Sequence, residues 1–197
     1  MINECVRSTV IDCLNGRFRS ENVKIVSVYF DYNSQDTQNA VNLAKSLLNQ
    51  LLSDPDIPLP ETIETLYNER KQLDKTILFE VLASCSQQFS TVYTIFDAVD
   101  ESKEAYHSEL LDLFVHLQNL RYKIVISGRP GSPLNKIQSK LDCKLIEIRA
   151  NANDLESYMY ARVQQGLVRK LCVKLIPNVN GMYVEIFLHE LTLGSSC

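Results

Sequence analysis

Glycine is scarce in this chain. Its 197 residues hold six, at positions 16, 128, 131, 166, 181 and 194, about half the share usual in globular proteins. No two of them bracket a Gly-x-x-x-x-Gly-Lys-Ser/Thr loop or a Gly-x-Gly-x-x-Gly turn. A glycine-rich phosphate cradle within these residues is therefore excluded. Tryptophan is absent altogether, the six cysteines (5, 13, 85, 143, 172 and 197) form no Cys-x-x-Cys pair, and the three histidines (107, 116 and 189) offer them no partner. That spacing argues against a zinc site or a disulfide framework and predicts buried or incidental thiols in a reducing compartment. No apolar run approaches the roughly 18 residues of a membrane span, and no basic-then-apolar leader opens the sequence. The expectation is a soluble, cytoplasmic chain.

Charge of either sign is moderate. Twenty Lys and Arg stand against 24 Asp and Glu, a net charge of −4, with a pI near 5.4. This balance excludes bulk electrostatic binding to nucleic acid or to an anionic membrane. The local basic clusters (Arg17, Arg19 and Lys24; Arg121 and Lys123) read as solvated faces. Hydrophobic residues make up 45% and charged residues 22%, values that fit one globular domain and neither a disordered nor a fibrous chain.

What is present is an alternation of short apolar runs and longer helical patterns. Val23–Phe30, Thr91–Phe96, Tyr122–Ser127 and Lys144–Ile148 are rich in β-branched and aromatic residues and read as strands. Between the first two, Ala40, Ala44, Leu47, Leu48 and Leu51 make one helical stripe, with Asp36 or Thr37 as the expected cap. Three prolines within Asp54–Pro60 impose a break, and helices over Glu61–Arg70 and Asp74–Gln87 follow. The second of these turns Ile77, Leu78, Val81, Leu82 and Cys85 inward. A further helix carries Tyr106, Leu110, Leu113, Phe114 and Leu117, another follows Asp154 over about 155–170, and a last one is expected from Met182 to Leu193. Strands alternating with crossover helices predict a mostly parallel α/β sheet with helices on both faces.

In such sheets, chemistry gathers where strands end in loops at their carboxyl edge. Asp97 closes the second strand, with Asp100 and Glu101 three and four residues on. A carboxylate at a strand tip can hold Mg²⁺ through water, and a second one can orient an attacking water. Equally, acidic residues there can cap the next helix, whose N-terminus favours negative charge. The third strand ends in Ser127, Gly128, Arg129 and Pro130. Its arginine can contact a phosphate bidentately, or can be an ordinary surface arginine before a proline loop.

The series YFDYN (29–33), VYTIFDAVDES (92–102), KIVISGRP (123–130), NDLESYMYARV (153–163) and NGMYVEIFL (180–188) resembles the NACHT module of STAND-class P-loop NTPases. It does so in the form found at the N-terminus of nephrocystin-3-like proteins, abundant in filamentous fungi. The resemblance covers nearly the entire chain. It implies a P-loop NTPase-like three-layer sandwich, with residues 1–150 as sheet core and 151–197 as the start of a helical extension of the same single domain. It assigns Asp97 to the Mg²⁺-associated aspartate, Asp100 and Glu101 to the acidic pair that positions water, and Ser127 and Arg129 to nucleotide contact at the fourth-strand Thr-Ser-Arg-Pro motif. The cofactor of the intact family is Mg-ATP or Mg-GTP.

The departures weigh as much as the matches. Family members begin with a strand and a Walker A loop carrying Lys-Ser/Thr; here Met1 falls inside that loop, and Asn3 and Glu4 stand at those positions. Thr-Ser-Arg-Pro becomes Ser-Gly-Arg-Pro. The implied strand order, 5-1-4-3-2, places the missing first strand between Tyr122–Ser127 and Lys144–Ile148. Its loss forgoes about 1.5–3 kcal/mol for each buried side chain, so either the flanking strands close the gap or an unpaired edge invites association. The expectation is an incomplete module, ancestrally a nucleotide-dependent assembly switch, that retains no cofactor and hydrolyses neither ATP nor GTP alone. Two alternatives are a non-enzymatic interaction scaffold and a fragment of a working NTPase whose upstream exon is missing. The expected partners are proteins, by self-association or through full-length relatives, with no nucleic acid and no membrane.

Overall fold

The computed structural model describes residues 2–18, 22–55, 57–129, 134–149 and 183–188. Helix α1 (Ile2–Arg17) is followed by strand β1 (Val23–Tyr29), helices α2 (Ala40–Leu52), α3 (Glu61–Asn68) and α4 (Lys75–Ser86), and strand β2 (Thr91–Asp97). Helix α5 (His107–Asn119), strand β3 (Lys123–Gly128), helix α6 (Leu134–Lys140) and strands β4 (Lys144–Arg149) and β5 (Tyr183–Leu188) complete the described order. The helix expected after Asp154 lies outside the described residues. Among those residues no helix is long and apolar enough to cross a membrane.

Local chemistry explains most element boundaries. α2 buries Ala40, Leu43, Ala44, Leu47, Leu48 and Leu51, the stripe that 3.6-residue periodicity dictates. Its cap is Asn39, whose side chain accepts from the Asn42 N–H at 3.0 Å, and not Asp36 or Thr37. The reason is local competition. Asp31 accepts from the Asn33 N–H at 3.0 Å and opens a 3-10 turn over Tyr32–Thr37, and Thr37 Oγ1 donates back to the Ser34 carbonyl at 2.9 Å. Those groups are spent before the apolar stripe begins. Asp74 caps α4 by accepting from the Ile77 N–H at 2.9 Å.

Strand alternation splits the core into two faces. On one, Val26 and Val28 of β1, Val92 and Phe96 of β2, and Ile124 and Ile126 of β3 pack with α2, α4, α5 and Ile137 of α6. Phe96 and Phe114 meet there at 4.6 Å between ring centroids. On the other face, Tyr93, Ile95 and Val125 meet Val10, Ile11, Leu14 and Phe18 at the α1 end of the chain, with the Phe18 and Tyr93 rings stacked at 5.2 Å. Helices thus cover both faces of the sheet, giving the three-layer α/β sandwich that the sequence predicts.

The sheet runs β1-β2-β3-β5-β4. β1, β2 and β3 are mutually parallel. β5 lies antiparallel to both β3 and β4, with Ile126 opposite Phe187, Ser127 opposite Ile186, and Ile186 opposite Ile146. Two expectations are corrected here. The segment expected as a helix over Met182–Leu193 is a strand over Tyr183–Leu188. The gap between the third and fourth strands is neither closed by its neighbours nor left as an unpaired edge, because β5 fills it. A short apolar run such as YVEIFL fits strand or buried helix by periodicity alone. The vacancy decides, since a strand there pairs its backbone on both sides.

Two predictions follow from this packing. Pro at Ile186 removes an N–H from a strand paired on both edges; Ile186→Pro should cost about 3 kcal/mol or more in a chemical melt. An unchanged midpoint would show that β5 does not occupy the sheet interior. The second concerns His116 on α5, whose ring lies 4.4 Å from Phe79 of α4. Burial, reinforced by nearby Lys75, holds its pKa below the ordinary value of 6.5. The unfolded chain therefore binds the proton more readily. This contribution is fully present above pH 6.5 and is lost as pH falls below it. Urea midpoints of the parent should drop further between pH 7.5 and 5 than those of His116→Gln; parallel slopes would refute the assignment.

Candidate functional site at the strand tips

The carboxyl ends of β1, β2 and β3 lie side by side, because the three strands are parallel and in register. Asp97 is the last residue of β2 and is fully buried. It shares the α1 side of the sheet with Tyr93 and Ile95 by alternation. Ser127, two residues beyond Val125 on β3, is on that same side, and its Oγ donates to Asp97 Oδ1. β2 and β3 are buried along most of their length and carry Asp97 and Ser127 near their carboxyl ends, which places this pair at the rim of the core.

The chain turns sharply at the next residue. Ala98 adopts the left-handed conformation, φ 59° and ψ 42°, unusual for a residue with a Cβ. The turn buries Val99 and opens a 3-10 segment over Val99–Glu101. The Glu101 N–H donates to Ala98 O at 2.9 Å, and Ser102 Oγ donates to Val99 O at 2.6 Å. Asp100 and Glu101 are thereby swung toward β3 and away from Asp97.

Arg129 meets them there. Its backbone N–H donates to Asp100 Oδ1 at 3.0 Å and its Nε to Asp100 Oδ2 at 2.6 Å. Its Nη2 lies 3.9 Å from Glu101 Oε1. The Arg129 side chain is 68% exposed while that of Asp100 is only 10% exposed, so the arginine forms a lid over the aspartate. The hydrogen bond it donates to Asp100, then the charge of that carboxylate, holds the guanidinium pKa above its ordinary value. Glu101 is engaged from β1 as well. The Tyr32 N–H donates to Glu101 Oε2 at 3.3 Å, and Gln35 Nε2 donates to the Glu101 carbonyl at 2.6 Å. Lys103 pairs with Asp36 at 2.5 Å across the same two loops.

The five residues singled out in the sequence thus form two groups: a buried Asp97–Ser127 pair, and a surface cluster of Asp100, Glu101 and Arg129. Gln35 lies outside the motifs read from the sequence, and Tyr32 lies within YFDYN (29–33) with no role assigned to it there. The signal was the strand-ending YFDYN, whose Asp31 nucleates the turn that carries them. Asn3 and Glu4 fall within α1, and their side chains lie outside the described residues.

These residues do not fit a resident Mg²⁺ as arranged. The Asp97 carboxylate is fully buried and bonded by Ser127, and both Asp100 oxygens accept from Arg129. Among the described residues no group of three His, Cys, Asp or Glu side chains could hold a metal ion. Chemically, the cluster can order three loops and present one guanidinium to solvent.

A parallel three-strand core between helical layers, with a buried aspartate at one strand tip and Ser-Gly-Arg at the next, defines an α/β sandwich of the P-loop-like class. Within that class the chain belongs to the family described as Nephrocystin 3, N-terminal, which it matches over residues 5–129. That span runs from α1 to Arg129 and stops short of β4 and β5. No curated protein and no solved structure matches the chain.

The Asp97–Ser127 pair carries its own test. Ser127→Ala withdraws a donor from a buried carboxylate and should cost about 1–3 kcal/mol by urea unfolding. A loss below a few tenths would mean that the hydroxyl contributes nothing to holding Asp97 in place.

Proposed function

We propose that this chain is a NACHT-type module of the STAND class that works in the cytoplasm as a protein-interaction and assembly scaffold, its strand-tip acids retained as structure, without hydrolysing ATP or GTP by itself. The observation that carries this reading is the closed cluster of Asp100 and Arg129. An acid pair that is to polarise water needs carboxylate oxygens free to accept from that water. Here both Asp100 oxygens accept from Arg129, and Glu101 is drawn toward the same arginine and toward the Tyr32 backbone.

Phosphate recognition points the same way. Backbone N–H groups of a glycine-rich loop and one lysine supply most contacts to a nucleotide's phosphates in P-loop sites. No such loop occurs in these 197 residues. The scaffold role rests on what remains, a three-layer fold whose strand-tip loops are fixed by ion pairs. A reducing compartment suits Cys13, Cys85 and Cys143, which are free thiols. Burial pushes the Cys85 and Cys143 thiols above their ordinary pKa, which keeps them poorly reactive.

Phosphate release by the purified chain with Mg-ATP or Mg-GTP is the direct measurement. The expected result is no turnover above the buffer blank. Mg-dependent turnover that disappears in an Asp100→Ala, Glu101→Ala double variant would sink the proposal.

A further inference from the structure

Among the described residues, β1 forms one edge of the sheet. An edge strand presents a row of backbone donors and acceptors that can template pairing with another chain. Alternation fixes which groups face out. The Phe30 N–H donates to Asp97 O of β2, and the Ser90 N–H donates to Asn22 O, so even-numbered residues of this stretch face β2. The outward set is Val23, Ile25, Ser27, Tyr29 and, just beyond the strand, Asp31.

Two glutamine side chains occupy that outward row. Gln50 of α2 accepts from the Ser27 N–H at 2.8 Å through Oε1 and donates to the Ser27 carbonyl at 2.9 Å through Nε2. Gln38 accepts from the Asp31 N–H at 3.1 Å and donates to the Tyr29 carbonyl at 3.0 Å. Each carboxamide carries one donor and one acceptor side by side, as a peptide group of a neighbouring strand does. Together they bond the Ser27 N–H and C=O, the Tyr29 C=O and the Asp31 N–H of that row. The strand they cover, VKIVSVY, has high β-propensity and one charge, the composition that favours self-pairing when exposed. Its single charge, Lys24, is tied to Asp54 at 3.5 Å.

We propose that the outer edge of β1 is a strand-docking surface held shut by Gln38 and Gln50, and that the occupant it takes when opened is β1 of a second copy of this chain. Antiparallel pairing about a two-fold axis at Ser27 is self-complementary: the Ser27 N–H and C=O exchange with those of Ser27 in the second copy, and Ile25 lies opposite Tyr29. The two sheets then continue as one. This inference is independent of the nucleotide reading above.

The test compares the parent with a Gln38→Ala, Gln50→Ala double variant by sedimentation velocity over a concentration series, with backbone hydrogen exchange at Ser27 and Asp31. In the parent, both amides should exchange at rates within about tenfold of the inward-facing Val26 and Val28 amides. Loss of one hydrogen bond corresponds to about tenfold faster exchange at Ser27 in the dilute variant. At high concentration the variant should dimerise or extend further, and the Ser27 amide should regain protection. Should the alanine pair fail to melt cooperatively, the pair Gln38→Met, Gln50→Met keeps the side-chain stems and is judged by the same criteria. Unprotected Ser27 and Asp31 amides in the parent overturn the proposal. So does a folded variant that stays in the parent's oligomeric state, or one that associates while Ser27 remains exposed.

Discussion

Backbone groups in the middle of a sheet have no water to fall back on, and that constraint organises this molecule. β3 pairs with β2 along one edge and must find donors and acceptors along the other. β5 supplies them, running antiparallel between β3 and β4 and pairing with both. Without a strand in that position, the backbone ladder would not reach β4, and Ile146 alone among that strand's described side chains would pack against the Tyr93, Ile95 and Val125 side of the core. The apolar face of β3, with Ile124 and Ile126 under α5 and α6, would sit at an open edge. Filling a central position with a strand of opposite direction is permissible because antiparallel pairs are at least as stable per residue as parallel ones.

The register of the three parallel strands then sets the chemistry at their tips. Because Phe96 stands opposite Ile126, Asp97 and Ser127 lie at adjacent levels and can bond. The left-handed Ala98 turn separates that pair from Asp100 and Glu101. One acid is sealed in the core rim, while the other two are turned out to Arg129. A strained backbone of this kind persists only where its surroundings over-determine it, and here the buried Val99 and the Ser102 hydroxyl do so. The outcome is a cluster that satisfies itself and links loops from three strands.

The two ends of the sheet are treated differently. β1 is flanked by α2, whose apolar stripe packs beneath the sheet while Gln50, in its last turn, reaches the strand's backbone. One helix therefore contributes both to the core and to the edge. At the other end, Leu145 of β4 is 37% exposed, a value that separates this strand from the buried interiors of β2 and β3.

Sequence alone determined the strands β1 to β4, the stripes of α2, α4 and α5, and the gathering of Asp97, Asp100, Glu101, Ser127 and Arg129 at one edge. Each of these depends on short-range pattern: period 2 or 3.6, a cap, or a polar residue at the end of an apolar run. The α2 cap was misplaced because Asp36, Thr37 and Asn39 are all competent caps, and only the turn begun by Asp31 removes the first two. The tertiary structure alone decided that Tyr183–Leu188 is a strand, since that run satisfies both periods and only the vacancy beside β3, more than fifty residues earlier in the chain, chooses between them. It also decided which acid is buried and which is held by Arg129, because a single left-handed residue and the register of a neighbouring strand are invisible to spacing along one chain.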